Sequence, residues 1–76
     1  HQGVGTALMT ELLTTLRGDG VREALAFIGD SQNAASIGLH AKAGFKHAGT
    51  LKNAGEKFGR TLDVVVMQRT LIPPLV

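Results

Sequence analysis

The chain has 76 residues and no cysteine, which limits it to one small domain and excludes disulfides, thiol nucleophiles and cysteine metal ligands. Its hydrophobic content of 43% and charged content of 18% are typical of a globular protein. The net charge of +2 forms no basic run that would indicate a nucleic-acid partner, and no apolar run reaches the ~20 residues of a membrane span.

The first segment, Gln2-Gly3-Val4-Gly5-Thr6-Ala7, predicts a glycine-containing turn that opens a helix over Thr6–Leu16. Amides at a helix N-terminus lack intrahelical partners and carry partial positive charge, and the glycines permit left-handed backbone. Such a turn is typical of a phosphate-binding site. The alternative interpretation is a plain helix start with glycine packing.

The next residues predict the end of this helix and a strand. Arg17 places a cation in the last helical turn, and Gly18-Asp19-Gly20 follows as a stop signal. Val21–Ile28 then predicts a short, largely buried strand. Because a helix precedes this strand, we expect it to have a parallel neighbour.

A second helix is predicted from Ala34 to Ala43. The turn Gly29–Asn33 before it is rich in capping residues, and Gly44 is the expected left-handed cap. Two strands, Lys46–Leu51 and Leu62–Leu71, follow with a polar loop between them. That loop is expected over Lys52–Thr61, with Asp63 beside it as a partner for Lys57 or Arg60.

The order helix, strand, helix, strand, strand predicts an α/β fold with a mixed (α+β) sheet. The run Val64–Met67 is apolar enough to predict burial on both faces. The predicted core residues are Leu8, Leu12, Phe27, Ile37, Leu39, Phe45, Val64 and Val66.

Three blocks of the sequence resemble one family. Gln2–Ala7 is similar to the Q/R-x-x-G-x-G/A signature of the GNAT N-acetyltransferases, and Asn33–Phe45 to their N-x-x-S/A-x-x-L-Y/H-x-K-x-G-F segment. The third block resembles the phosphinothricin and methionine sulfoximine acetyltransferase branch, and it consists of Gly49-Thr50-Leu51, Gly55, Lys57, Gly59, Asp63-Val64 and Met67-Gln68-Arg69. The resemblance spans residues 1–76 but implies only the C-terminal, acetyl-CoA-binding half of the domain.

The resemblance implies a role for several residues toward acetyl-CoA. The backbone of Gln2, Gly3, Val4, Gly5, Thr6 and Ala7 would hold the pyrophosphate, with Gln2 adding hydrogen bonds. Asn33 would bind the pantetheine arm while also capping its helix. His40 would lie near the CoA sulfur and protonate the departing thiolate, or it is an ordinary half-exposed helix histidine; both interpretations stay open.

The family transfers acetyl to an amine by direct attack, with a carboxylate base on the strand that precedes the glycine segment. That strand is not in this chain, so the general base is not either, and we expect the isolated chain to be inactive. The implied acceptor is a small amino acid or analogue such as phosphinothricin or methionine sulfoximine. Glu56 and Thr61 stand where relatives tend to have aromatic residues, which puts phosphinothricin itself in doubt.

The alternative is a noncatalytic CoA-binding or dimerisation fragment. An unpaired apolar edge at Val21–Ile28 predicts a homodimer or higher oligomer in either case. His1, His40 and His47 do not have the spacing of metal ligands, so no metal is expected. A cytoplasmic location is the default for this composition.

Overall fold

A computed structural model describes residues 2–30 and 33–75. The five elements are α1 (Gln2–Gly18), β1 (Glu23–Gly29), α2 (Ala34–Lys42), β2 (Lys46–Lys57) and β3 (Arg60–Thr70). The predicted order of elements and the α/β class are therefore confirmed. Helix α1 is longer than expected at both ends, because the glycine-containing segment before Thr6 is itself helical.

The sheet has the strand order β1-β3-β2, and both of its pairings are antiparallel. Strands β1 and β2 consequently run in the same direction, with β3 between them. The parallel neighbour predicted for Val21–Ile28 does not occur among the described strands. The strand that pairs with β1 is β3, and it runs antiparallel to β1. The other edge of β1 is unpaired within residues 2–30 and 33–75.

The predicted loop Lys52–Thr61 is wrong, because both strands continue through it to a two-residue turn. Phe58 and Gly59 form that turn with φ of 52° and 74°. Paired left-handed residues suit a two-residue hairpin, since their twist matches that of the flanking strands. Strand β2 accommodates its polar and glycine residues because its register against β3 shifts twice, between His47 and Gly49 and between Leu51 and Gly55.

A left-handed glycine follows each helix, although α1 ends at Gly18 rather than at the predicted Leu16. After α1, Gly20 has φ of 85°, and the amide of Val21 donates to the carbonyl of Leu16 at 3.0 Å. After α2, Gly44 has φ of 89°, and the amide of Phe45 donates to the carbonyl of His40 at 3.0 Å. Both ends are Schellman caps, in which glycine takes the left-handed position.

Both helices pack on one face of the sheet, where the core lies. The buried residues are Leu13, Ile28, Phe45, Val65, Met67 and Leu71. Of the predicted core residues, Phe45 is buried, and Ile37 is partly buried and packs against the buried cluster. Leu39, Val64 and Val66 are only half-buried. Leu8, Leu12 and Phe27 are exposed. Leu13, Ile28, Val65 and Met67 each lie one residue along the chain from a predicted core residue. In a strand, a shift of one residue moves the side chain to the opposite face of the sheet.

The opposite face of the sheet is apolar and open among the described residues. Leu25 is 56% exposed and Phe27 is 63% exposed, and both lie on the same side as Val64 and Val66. The prediction that Val64–Met67 is buried on both faces is therefore wrong for this structure. Only the side chains of Val65 and Met67, which point toward the helices, are buried.

Candidate functional site

The segment Gln2–Ala7 forms the first two turns of α1, so the predicted glycine turn is wrong. Gly3 and Gly5 are absent from the glycines with positive φ, as expected for helical residues. The first four amides of a helix have no intrahelical acceptor, which leaves those of Gly3, Val4 and Gly5 for a ligand. Thr6 and Ala7 lie in the second turn, where the helix uses their amides.

The side chain of Gln2 lies outside the described residues, as do His1, Ser31, Gln32 and Val76. The hydrogen bonds expected from Gln2 to a pyrophosphate therefore stay a prediction. The same holds for the middle of the predicted capping turn Gly29–Asn33.

A groove of about 450 Å³ runs between the start of α1 and one face of α2. It is lined by Gly5, Thr6, Ala34, Ala35, Gly38, Leu39 and Lys42. The groove is open because most of its lining side chains are small. Lys42 is the single charged residue among those that line it. The sequence signal for this wall is the four-residue spacing of Ala34, Gly38 and Lys42, which places them along one side of a helix.

Asn33 is the N-cap of α2, as predicted. Its side-chain oxygen accepts a hydrogen bond from the amide of Ser36 at 3.1 Å, and its own amide donates to the carbonyl of Asp30 at 2.9 Å. The cap uses only the oxygen of the carboxamide, so the NH₂ group is the part of this side chain suited to a ligand acceptor.

His40 is half-buried on α2 and is held by two contacts. Its Nδ1 lies 2.8 Å from the carbonyl oxygen of Ser36, and its ring meets that of Phe45 edge-on with centroids 5.2 Å apart. Because a carbonyl only accepts, Nδ1 carries the proton, and Nε2 is the atom that can exchange one. His40 does not line the groove between the helices. Both interpretations of His40 therefore stay open.

Asp63 has a different partner from those predicted. Its carboxylate contacts the ammonium of Lys52 at 3.1 Å and accepts from the amide of Asn53 at 3.1 Å, rather than from Lys57 or Arg60. Asn53 has φ of 54° within the second register shift of β2, which turns its amide toward β3. The Asn53 amide first, and then Lys52, hold the pKa of the Asp63 carboxyl below its ordinary value of 3.8.

Two further observations concern classes of site. In the part of the chain that the structure describes, no three histidine or carboxylate side chains cluster as metal ligands would. Neither α1 nor α2 is long and apolar enough to cross a membrane.

The site thus has free helix N-terminal amides, an adjoining groove with one cation, and an asparagine cap on the second helix. The family model of the acetyltransferase (GNAT) family matches residues 1–45, which contain all of these features. The chain therefore belongs to the GNAT acetyltransferase family.

Its relatives include enzymes of the branch indicated by the sequence. The chain is 51% identical over 70 residues to a phosphinothricin N-acetyltransferase of Alcaligenes faecalis, covering 92% of the chain and 36% of the relative. It is 43% identical over 72 residues to an L-methionine sulfoximine/L-methionine sulfone acetyltransferase of Pseudomonas paraeruginosa, covering 95% and 41%. The chain thus spans well under half the length of these relatives.

Solved structures show the same fold. A phosphinothricin acetyltransferase from Sinorhizobium meliloti in complex with acetyl-CoA superposes with a TM-score of 0.83 at 41% identity, covering 92% of the chain and 37% of that structure. An acetyltransferase from Salmonella typhimurium with its cofactor acetyl-CoA gives a TM-score of 0.88 at 39% identity, covering 97% and 42%.

Proposed function

We propose that the protein containing this chain transfers acetyl from acetyl-CoA to the amine of a small amino acid or amino-acid analogue. The observation that carries this proposal is the groove at the start of α1, which joins free helix amides to the capped end of α2. The likeness to phosphinothricin and methionine sulfoximine acetyltransferases supports the acceptor class. The site residues that follow belong to the same proposal.

The amides of Gly3, Val4 and Gly5 hold the pyrophosphate of acetyl-CoA. They are free of intrahelical partners and lie at the positive end of the α1 dipole, where a negative charge is stabilised. Gly5 also lines the groove, so the phosphates and the groove are adjacent. Lys42, across the groove on α2, adds a full positive charge toward this polyanionic cosubstrate.

Asn33 binds the pantetheine arm through its NH₂ group, because its oxygen is committed to the Ser36 amide. His40 delivers a proton through Nε2 to the thiolate that leaves when the amine attacks the thioester. Its Nδ1 hydrogen bond to Ser36 fixes the ring orientation for this transfer. The base that deprotonates the amine belongs outside this chain.

A substitution that removes one amide tests the pyrophosphate site. Proline is tolerated in the first turn of a helix, where its missing N–H costs no helical bond. In the protein as its gene encodes it, we expect Gly3→Pro to weaken acetyl-CoA binding about tenfold by calorimetric titration, the loss of one charge-assisted hydrogen bond.

Gly3→Ala is the matched control, since it keeps the amide and a Cβ at Gly3 meets no atom within 4 Å. It should bind acetyl-CoA as well as the wild type does. Equal losses in both variants would contradict the role of the amide, and a wild type that does not bind acetyl-CoA would contradict the proposed function.

A further inference from the structure

A pocket beside the end of α2 is lined by three cations that come from three elements. Arg17 lies in the last turn of α1, Lys42 is the last residue of α2, and Arg69 belongs to β3. The pocket has a volume of about 350 Å³, and we call it the basic pocket. It is distinct from the groove between the helices, although Lys42 lines both.

The basic pocket collects positive charge without a carboxylate to balance it. None of the described residues that line it is an aspartate or a glutamate. The ion pair found within the described ranges joins Lys52 to Asp63, and neither residue lines this pocket. A concave surface lined by charge of one sign focuses the electric field and concentrates ions of the opposite sign. The ligand that suits this pocket is therefore an anion.

Arg69 is held in position for such a ligand. Its Nη1 donates to the carbonyl of Ala43, and this bond uses one of the five N–H donors of the guanidinium. The hydroxyls of Thr10 and Thr14, which also line the pocket, donate to carbonyls within α1. The donors that an anion would meet in the pocket therefore come from the three cations.

Three cations suit a phosphate monoester better than a carboxylate. A phosphate monoester carries a charge of about −1.5 to −2 near pH 7 and three acceptor oxygens, whereas a carboxylate carries a single charge on two oxygens. The wall of the pocket also includes Leu13 and Leu71, which belong to the core. They give the pocket an apolar side for the organic group of the ester.

We propose that the basic pocket binds a phosphate monoester through Arg17, Lys42 and Arg69. Two sources share this chemistry. The first is the 3′-phosphate of acetyl-CoA, because Lys42 connects the basic pocket with the groove proposed for that cosubstrate. The second is a separate phosphorylated metabolite. The first source rests on the proposed function, whereas the second does not.

The first test titrates the ¹⁵N-labelled protein, as its gene encodes it, with phenyl phosphate or benzoate at constant ionic strength. The amide resonances of Thr14 and Gly44, which line the basic pocket, should shift saturably with phenyl phosphate. Those of residues 3–5 report separately on the pyrophosphate site proposed at the start of α1. Benzoate, a monoanion with the same ring, should bind at Thr14 and Gly44 about tenfold more weakly.

Arg17→Gln removes one of the three cations and should weaken the binding of phenyl phosphate about fivefold. The side chain of Arg17 is exposed, so the substitution leaves the core intact. Arg22→Gln is the matched control, because Arg22 is also an exposed arginine but does not line the basic pocket. This control should bind phenyl phosphate within twofold of the wild type.

Three results of this titration would overturn the inference. In the first, phenyl phosphate leaves the resonances of Thr14 and Gly44 unshifted. In the second, benzoate binds there as tightly as phenyl phosphate does. In the third, Arg17→Gln changes the binding no more than Arg22→Gln.

Calorimetric titration with acetyl-CoA and acetyl-3′-dephospho-CoA identifies the source of the phosphate. If it is the cosubstrate, the wild type should prefer acetyl-CoA about tenfold, Arg17→Gln should lose most of this preference, and saturating acetyl-CoA should abolish the shifts caused by phenyl phosphate. If it is a separate metabolite, both cosubstrates should bind equally and the shifts should persist. A protein that does not bind acetyl-CoA contradicts the proposed function, while the phenyl phosphate titration still decides whether the basic pocket is a site.

Discussion

Arg69 and Gly44 form a close contact at the end of α2. The Arg69 Nη1 donates to the carbonyl of Ala43 at 2.6 Å, and a Cβ on Gly44 would lie 3.3 Å from both Cδ and Nε of Arg69. The arginine side chain thus lies against the glycine because the glycine has no side chain. The left-handed φ of Gly44 and the close approach of the Arg69 side chain are therefore two independent reasons for glycine at this position.

Gly44→Ala should therefore lower the free energy of unfolding by about 1–2 kcal/mol, mainly through the left-handed backbone. Denaturant unfolding measures this change. Gly18→Ala is the control, because Gly18 is helical and a Cβ there would meet no atom within 4 Å, and it should be neutral or stabilising. A Gly44→Ala protein as stable as the wild type would contradict the assigned cap.

Asp63 makes stability depend on pH in the acid range. Its folded pKa lies below 3.8, so its contribution is present above that value and is lost as the pH falls through the folded pKa. We expect Asp63→Asn to melt at a lower temperature than the wild type at pH 7. The difference should shrink as the pH falls below 3.8. A constant difference down to pH 2 would show that the carboxylate charge is not involved.

At the scale of elements, the sequence predicted what is decided locally. The capping roles predicted for Asn33 and Gly44 depend on hydrogen bonds to residues within five positions, and both are confirmed. The hairpin is longer than predicted because its length depends on pairing across strands, which lets polar residues such as Lys52 and Asn53 stay in a bulged strand.

The burial of the strands was misassigned for a related reason. The strands are apolar on both faces, so their composition does not tell which face meets the helices. The sequence favours Phe27 over its neighbour Ile28, and Val64 and Val66 over Val65 and Met67, whereas the structure buries Ile28, Val65 and Met67. The contacts of α1 and α2 decide between these alternatives, and they are not a property of the strands alone.

The groove between the helices supports a prediction about Lys42. As the single charge lining this groove, it should attract acetyl-CoA most strongly at low ionic strength. Lys42→Gln should weaken acetyl-CoA binding about threefold and make the affinity less sensitive to salt. Lys42→Arg should keep both properties. Equal salt dependence in the wild type and Lys42→Gln would contradict this role.

The described part of the chain is flat, and its helices cover only one face of the sheet. Its extents are 42 × 34 × 17 Å, and its radius of gyration of 13.8 Å exceeds the ~11 Å expected for a compact domain of this length. One sheet and one helical layer account for the short dimension. Two-layer packing of this kind leaves the apolar side chains of Leu25 and Phe27 exposed to water.

We therefore predict that the 76-residue polypeptide alone associates through this face or the adjoining edge of β1. Sedimentation should give at least twice its mass of 8.0 kDa, and Phe27→Lys should shift the population toward monomer. Phe27 is 63% exposed, so this substitution leaves the core intact. A monomeric wild-type polypeptide would contradict the prediction.

The pairing of β1 with β3 divides the amides of β1 into two classes. Asp30 donates to the carbonyl of Asp63, and the carbonyl of Arg22 accepts from Leu71, so the even-numbered residues between them bond to β3. The amides of Leu25, Phe27 and Gly29 face the other way. Their deuterium exchange rates consequently report whether a further strand covers the edge, whereas those of Ala26 and Ile28 report only the stability of the sheet.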